Sequence, residues 1–170
     1  GQALARQLGH TDDAQWMQEE EQALRESLLT SIQRVRKRDD LDTLPASAEL
    51  GDFDPTSTAI GIMIADERGH LPEDALEQTF KAYMQNCRQR AQTEPSSYTP
   101  YEVRNISALV RLGKKEEAHW LLDYFLQDAV RPAGWNHMAE VVHPDPRTPS
   151  YIGDMPHTWV GAGLINAIRD

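Results

Sequence analysis

A single cysteine, Cys87, is all the thiol the chain carries. That excludes an internal disulfide framework and any thiolate metal knuckle, so the fold has to rest on burial. Long apolar runs are absent as well. None approaches the roughly 20 residues that a membrane-spanning helix needs, and the start lacks the basic-then-apolar pattern of a signal peptide. Basic residues are scarce: 17 Lys and Arg stand against 27 Asp and Glu, for a formal charge of -10. Such a surface repels phosphate backbones and anionic headgroups, so neither nucleic acid nor a membrane is expected as a partner. The one cationic cluster, Arg34, Arg36, Lys37 and Arg38, runs straight into Asp39, Asp40 and Asp42 and reads as the basic end of a helix. Strand signals are sparse, and no GxSxG elbow, P-loop, GxGxxG or HExxH occurs. No cofactor is implied, and the compartment is left open.

What the sequence does hold is helical periodicity. Trp16, Leu24, Leu28, Ile32 and Val35 recur mostly at helical spacing, one long amphipathic helical region ending near Arg38, with a break around Gln18 to Glu21 left open. After a polar connection from Asp39 to Asp54, Pro55 opens a helix. Its Thr58 to Ala65 stretch is apolar nearly all round, the mark of a helix buried on every side. Pro72 opens an amphipathic helix carrying Leu76, Phe80, Tyr83, Met84 and Cys87 on one face. Pro100 opens a mainly apolar one with Ile106, Leu109, Val110 and Leu112, which Gly113 stops. Lys115 to Asp128 is again amphipathic. Pro156 starts a last apolar helix with Trp159, Val160, Leu164 and Ile168.

Fully apolar helices alternating with half-apolar ones describe an all-α, two-layer architecture with an inner row sandwiched and an outer row facing water. At 170 residues the chain is read as a single helical domain. An internal echo fits a repeated hairpin: Leu8 to Trp16 matches Leu112 to Trp120 in type at nearly every step.

The connections that feed the apolar helices hold the candidate chemistry. One carries Glu49, Asp52 and Asp54, the second Tyr101, Glu102 and Arg104, the third Trp135, Asn136, Glu140, Asp154, His157 and Trp159. If the inner helices run parallel, these loops gather at one end. Acids and aromatic rings together suit sugar chemistry, because glycosidic hydrolysis needs two carboxyls in different environments and ring faces hold the apolar side of a pyranose. Glu102 falls in a first helical turn, which favours its ionised form and suits a base or anionic stabiliser. Glu140 lies among Met138, Ala139, Val141 and Val142, where desolvation would suit a general acid. Glu102 and Glu140 are therefore the candidate catalytic pair, and Glu49, Asp52, Tyr101, Arg104, Trp135, Asn136, Asp154, His157 and Trp159 the candidate sugar contacts. Against this stand plainer roles: Glu102 pairing with Arg104 or capping its own helix, Asp54 as an N-cap, and the rings as core. Asp52 has no such local partner in view. His137, Glu140 and His143 share a spacing that a helix would turn into a metal face, but Pro144 and Pro146 argue against that helix, so no metal is assigned.

The segments Ser47 to Ala59, Thr99 to Asn105, Arg131 to Asn136, Ala139 to Val142 and Ile152 to Val160 resemble the six-hairpin glycosidase superfamily, the (α/α)6 toroids that include glucoamylase-like enzymes, and within it the C-terminal part of bacterial glycoside-hydrolase-like proteins. The resemblance implies an inner ring of six parallel helices, an outer ring of six, and a carbohydrate site at the funnel mouth. About three hairpins can be read here, a partial toroid. The resemblance therefore implies either a segment of a longer polypeptide or a homodimer that covers the open flank. Two other readings remain: a helical-repeat scaffold that binds protein or peptide, and a sugar-binding relative without catalysis.

Overall fold

The computed structural model describes residues 1–94, 99–127 and 158–170. Among them every regular element is a helix: α1 (Gln2–Gln7), α2 (Thr11–Asp39), α3 (Pro55–Met63), α4 (Glu73–Thr93), α5 (Val103–Arg111), α6 (Lys115–Phe125) and α7 (Thr158–Arg169), with 3-10 turns at Glu67–Gly69 and Pro100–Glu102. No helix of the described residues is long and apolar enough to cross a membrane.

Helix α5 is the hub, packed against α3, α6 and α7. Its contacts fix the direction of its neighbours. At the start of α5, Tyr101 lies against Trp159, the second residue of α7, with ring centroids 5.1 Å apart. At its other end Arg111 pairs with Asp170, just past α7, at 3.4 Å. The Arg111 carbonyl also accepts a 2.6 Å hydrogen bond from Arg68, in the turn that follows α3. Helices α3, α5 and α7 therefore run the same way, side by side. Helix α4 runs against them: its first turns meet the start of α6 through Glu77 and Lys114, and its last turns reach Glu102 at the start of α5 through Arg90.

One continuous core joins these helices. The α4 stripe expected from the sequence, Leu76, Phe80, Tyr83, Met84 and Cys87, is buried as a unit against Ile62, Ile106, Leu109, Leu121 and Phe125. Apolar burial on this scale is the main stabilising term. Burial also pushes the Cys87 thiol above its usual range, which marks it as an inert core residue.

The long helix expected up to Arg38 is present, and two further points need correction. Helix α2 is continuous, with no break at Gln18 to Glu21. Its apolar face is buried only at Ala14, Ile32 and Val35, while Trp16, Leu24 and Leu28 are exposed, Leu24 at 72%. Helical spacing creates an apolar face but supplies no partner for it, and the described core takes nothing from α2 before Ile32. Helix α3 is likewise not buried all round: Ala59 and Ile62 face α5 and the core, but Ile60 and Ile64 are exposed, Ile64 at 77%.

The echo between Leu8 to Trp16 and Leu112 to Trp120 is a repeated turn. In each, a glycine sits in the left-handed region, Gly9 at φ 79° and Gly113 at φ 76°. The next amide returns to the carbonyl five residues back, His10 to Ala5 and Lys114 to Leu109, both at 2.9 Å. This is the glycine helix stop that closes the last carbonyls of one helix and starts the next. Its sequence requirement accounts for the likeness. The two following tryptophans differ, since Trp16 is exposed whereas Trp120 packs on Tyr124 at 5.4 Å.

Candidate functional site

The parallel course of α3, α5 and α7 brings their first residues together. Around them opens a cavity of about 650 Å³, walled by the start of α3 (Phe53 to Ser57), by the α5 entry (Thr99, Tyr101, Glu102, Arg104) and by Tyr83, Asn86 and Arg90 of α4.

Asp54 caps α3. Its Oδ1 accepts from the Thr56 amide at 2.9 Å and the Thr56 hydroxyl at 2.7 Å, and its Oδ2 from the Ser57 hydroxyl at 2.8 Å. Partial burial opposes its ionisation, but these hydrogen bonds outweigh that and hold the carboxyl below its ordinary value of 3.8. The cap stabilises only while ionised, so its contribution is complete above that value and lost as pH falls through the lower folded one. We expect Asp54→Ala to cost about 1 kcal/mol at neutral pH. The gap between the two proteins, measured as thermal midpoints, should narrow below pH 3.8.

Glu102 is buried, with 5% of its surface exposed, and every contact to its carboxylate is a donor. Arg90 clasps it with two nitrogens, Nη1 to Oε1 at 2.9 Å and Nη2 to Oε2 at 2.6 Å. The Tyr83 hydroxyl donates to Oε2 at 2.9 Å and the Thr99 amide to Oε1 at 3.0 Å. With the Thr99 side chain this forms a reciprocal capping box at the start of α5. The helix-capping role is thus what the geometry displays, with Arg90 rather than Arg104 as the arginine partner. The Arg90 guanidinium is held firmly protonated: desolvation works against it, and the Glu102 hydrogen bonds and charge more than compensate. Burial, with the Glu102 charge, also drives the Tyr83 hydroxyl far above the usual phenol range.

Tyr101, Arg104 and Trp159 form a second group at the same rim. The Arg104 guanidinium carbon lies 5.2 Å from the Tyr101 ring centre and 4.6 Å from that of Trp159. Glu49 and Asp52 do not join them. Both are exposed and neither lines the cavity. Asp52 has a local partner after all, accepting from the Ser47 hydroxyl at 2.7 Å while its carbonyl accepts from the Ala46 amide at 2.8 Å. It closes its own loop. Trp135, Asn136, Glu140, Asp154 and His157, with the histidine pair His137 and His143, lie outside the described residues.

Sequence reasoning missed Arg90, Tyr83 and Asn86 as residues of the site. Arg90 had a readable signal, since it continues the Tyr83 and Cys87 stripe of α4, and a cation on a buried face calls for a carboxylate. Searched against protein-family models, curated proteins and solved structures, the chain matches none of them.

Proposed function

We propose that this chain is a carbohydrate-active helical domain of the glycoside-hydrolase type, built as part of an (α/α) toroid, with its sugar site in the cavity at the starts of α3 and α5. The observation that carries the reading is the meeting of the starts of α3 and α5 over α4: aromatic rings, guanidiniums and fixed carboxylates from distant parts of the chain wall one 650 Å³ hollow. A hollow of that size suits one or two sugar rings. In this reading Glu140 is the general acid. Glu102 serves to brace the wall, because Arg90, Tyr83 and Thr99 occupy its carboxylate with four hydrogen bonds. Tyr101, on the cavity wall, offers a ring face to a pyranose, with Trp159 packed against it.

The test has two arms. Titration with oligosaccharides, followed by tryptophan fluorescence or calorimetry, should show saturable binding that Tyr101→Ala weakens by roughly three- to tenfold. A panel of α- and β-glucosides should show turnover that Glu140→Gln removes. Binding without turnover would select the non-catalytic relative, and no binding to any sugar sinks the proposal.

A second reading has its own observation. Leu4, Leu8, Trp16 and Leu24 are all exposed on α1 and the first half of α2, a surface that suits a scaffold for protein partners. Self-association or peptide binding in a chain indifferent to sugars would favour it.

A further inference from the structure

Like Arg88, which lies 5.6 Å over Trp120, Arg104 is held by rings, but Arg88 is exposed whereas Arg104 sits half-buried on a cavity wall. Arg25, Arg36, Arg38, Arg90 and Arg111 each hold a carboxylate within 3.4 Å. Arg104 has no carboxylate partner among the described residues, yet it is half-buried on the cavity wall. What holds it is the pair of rings, Tyr101 and Trp159. Ring faces attract the positive charge, but they leave unfilled the planar fork of N–H donors that matches a carboxylate two-for-two.

The cavity's own carboxylates do not fill the fork. Glu102 is saturated by Arg90, Tyr83 and Thr99, and Asp54 by Thr56 and Ser57. A partly desolvated guanidinium without an acceptor among the described residues is costly unless something supplies one, and the arrangement fits a site completed by its ligand. The charge count narrows that ligand. Arg90 and Glu102 cancel, and Asp54, ionised on the same cavity wall, opposes a dianion more strongly than a monoanion.

We propose that the saccharide bound in this cavity is acidic, carrying a uronic-acid carboxylate that Arg104 grips. This rests on the carbohydrate reading above. It adds the substrate class, and it makes Arg104 the residue that separates acidic sugars from neutral ones.

The test is calorimetric titration of the intact chain at low ionic strength. The probes are neutral α- and β-linked gluco-oligosaccharides, the same compounds oxidised at C6 to the carboxylate, and glucose 6-phosphate. We expect an oxidised oligosaccharide to bind about tenfold more tightly than its neutral parent, with the advantage shrinking as salt rises. Arg104→Gln should abolish the preference, read as the ratio of the oxidised to the neutral affinity in the same variant. Arg104→Lys, which preserves the charge and loses the fork, should lose most of it, with an unchanged circular-dichroism spectrum as the control for folding. Equal affinity for oxidised and neutral compounds overturns the acidic-sugar proposal and leaves the carbohydrate reading intact, as does a phosphate that outcompetes the carboxylate. Binding of no saccharide at all overturns both.

Discussion

Glu102→Ala is expected to destabilise the protein by about 3 to 5 kcal/mol, the cost of leaving a buried partner's charge uncompensated. Arg90 would lose both oxygens it clasps, the Tyr83 hydroxyl its acceptor, and the Thr99 amide its return bond. For a chain of this size the thermal midpoint should fall by about 10 °C. Glu102→Gln will not rescue it. Each Glu102 oxygen faces an Arg90 nitrogen, so an amide NH2 in either orientation points a donor at a donor. Arg90→Ala should destabilise by a similar amount, and the double variant by clearly less than the sum, because the second change removes a partner already stranded. Thermal melts of the four proteins measure this. Additive losses, or a Glu102→Ala protein with unchanged stability, would refute the structural role and return Glu102 to the list of proton carriers. Because loss of turnover alone fits either role, stability is the discriminating readout.

The same residue illustrates how far the sequence was legible. That Glu102 sits in a first turn follows from Pro100 two residues earlier, and Thr99 beside it supplies the rest of a capping box. The arginine that neutralises it could not be read, because pairing across the connection from α4 to α5 depends on where the two helices come to lie. The α4 stripe was legible because it is long, periodic and flanked by charge on the other face. Helix α3 misled for the opposite reason: nine residues of mostly apolar sequence fit burial on one side as well as on all sides. In α2 the apolar positions were read correctly as a face, but whether a face is covered depends on neighbours, and neighbours are a tertiary property. At the cavity, Tyr101, Glu102, Arg104 and Trp159 converge because their helices run parallel, which alternating burial along the chain implied. Asp54 joined them and Asp52 did not, a difference of two residues decided by which one reaches the first amides of α3.

The α4 stripe carries the second large prediction. Phe80 is fully buried in the core that α4 shares with α5 and α6. Phe80→Ala removes a ring from a close-packed interior and leaves a void that helices can close only in part, for an expected loss of about 3 to 5 kcal/mol. The stripe then transmits the change to the cavity. Tyr83, Cys87 and Arg90 follow Phe80 on the same face, and Tyr83 and Arg90 are the side chains that fix Glu102 and line the hollow. A helix that settles into the void moves those groups relative to the start of α5. We therefore expect Phe80→Ala to weaken oligosaccharide binding as well as stability, although no atom of Phe80 lines the cavity. Lys81→Ala, one position along and exposed, should change neither by more than about 0.5 kcal/mol. Chemical denaturation and ligand titration of the two variants side by side measure both effects. If Phe80→Ala loses stability but binds sugar as the parent does, α4 supports the fold without setting the geometry of the site, and the arginine clasp on Glu102 is held in place from the α5 side alone.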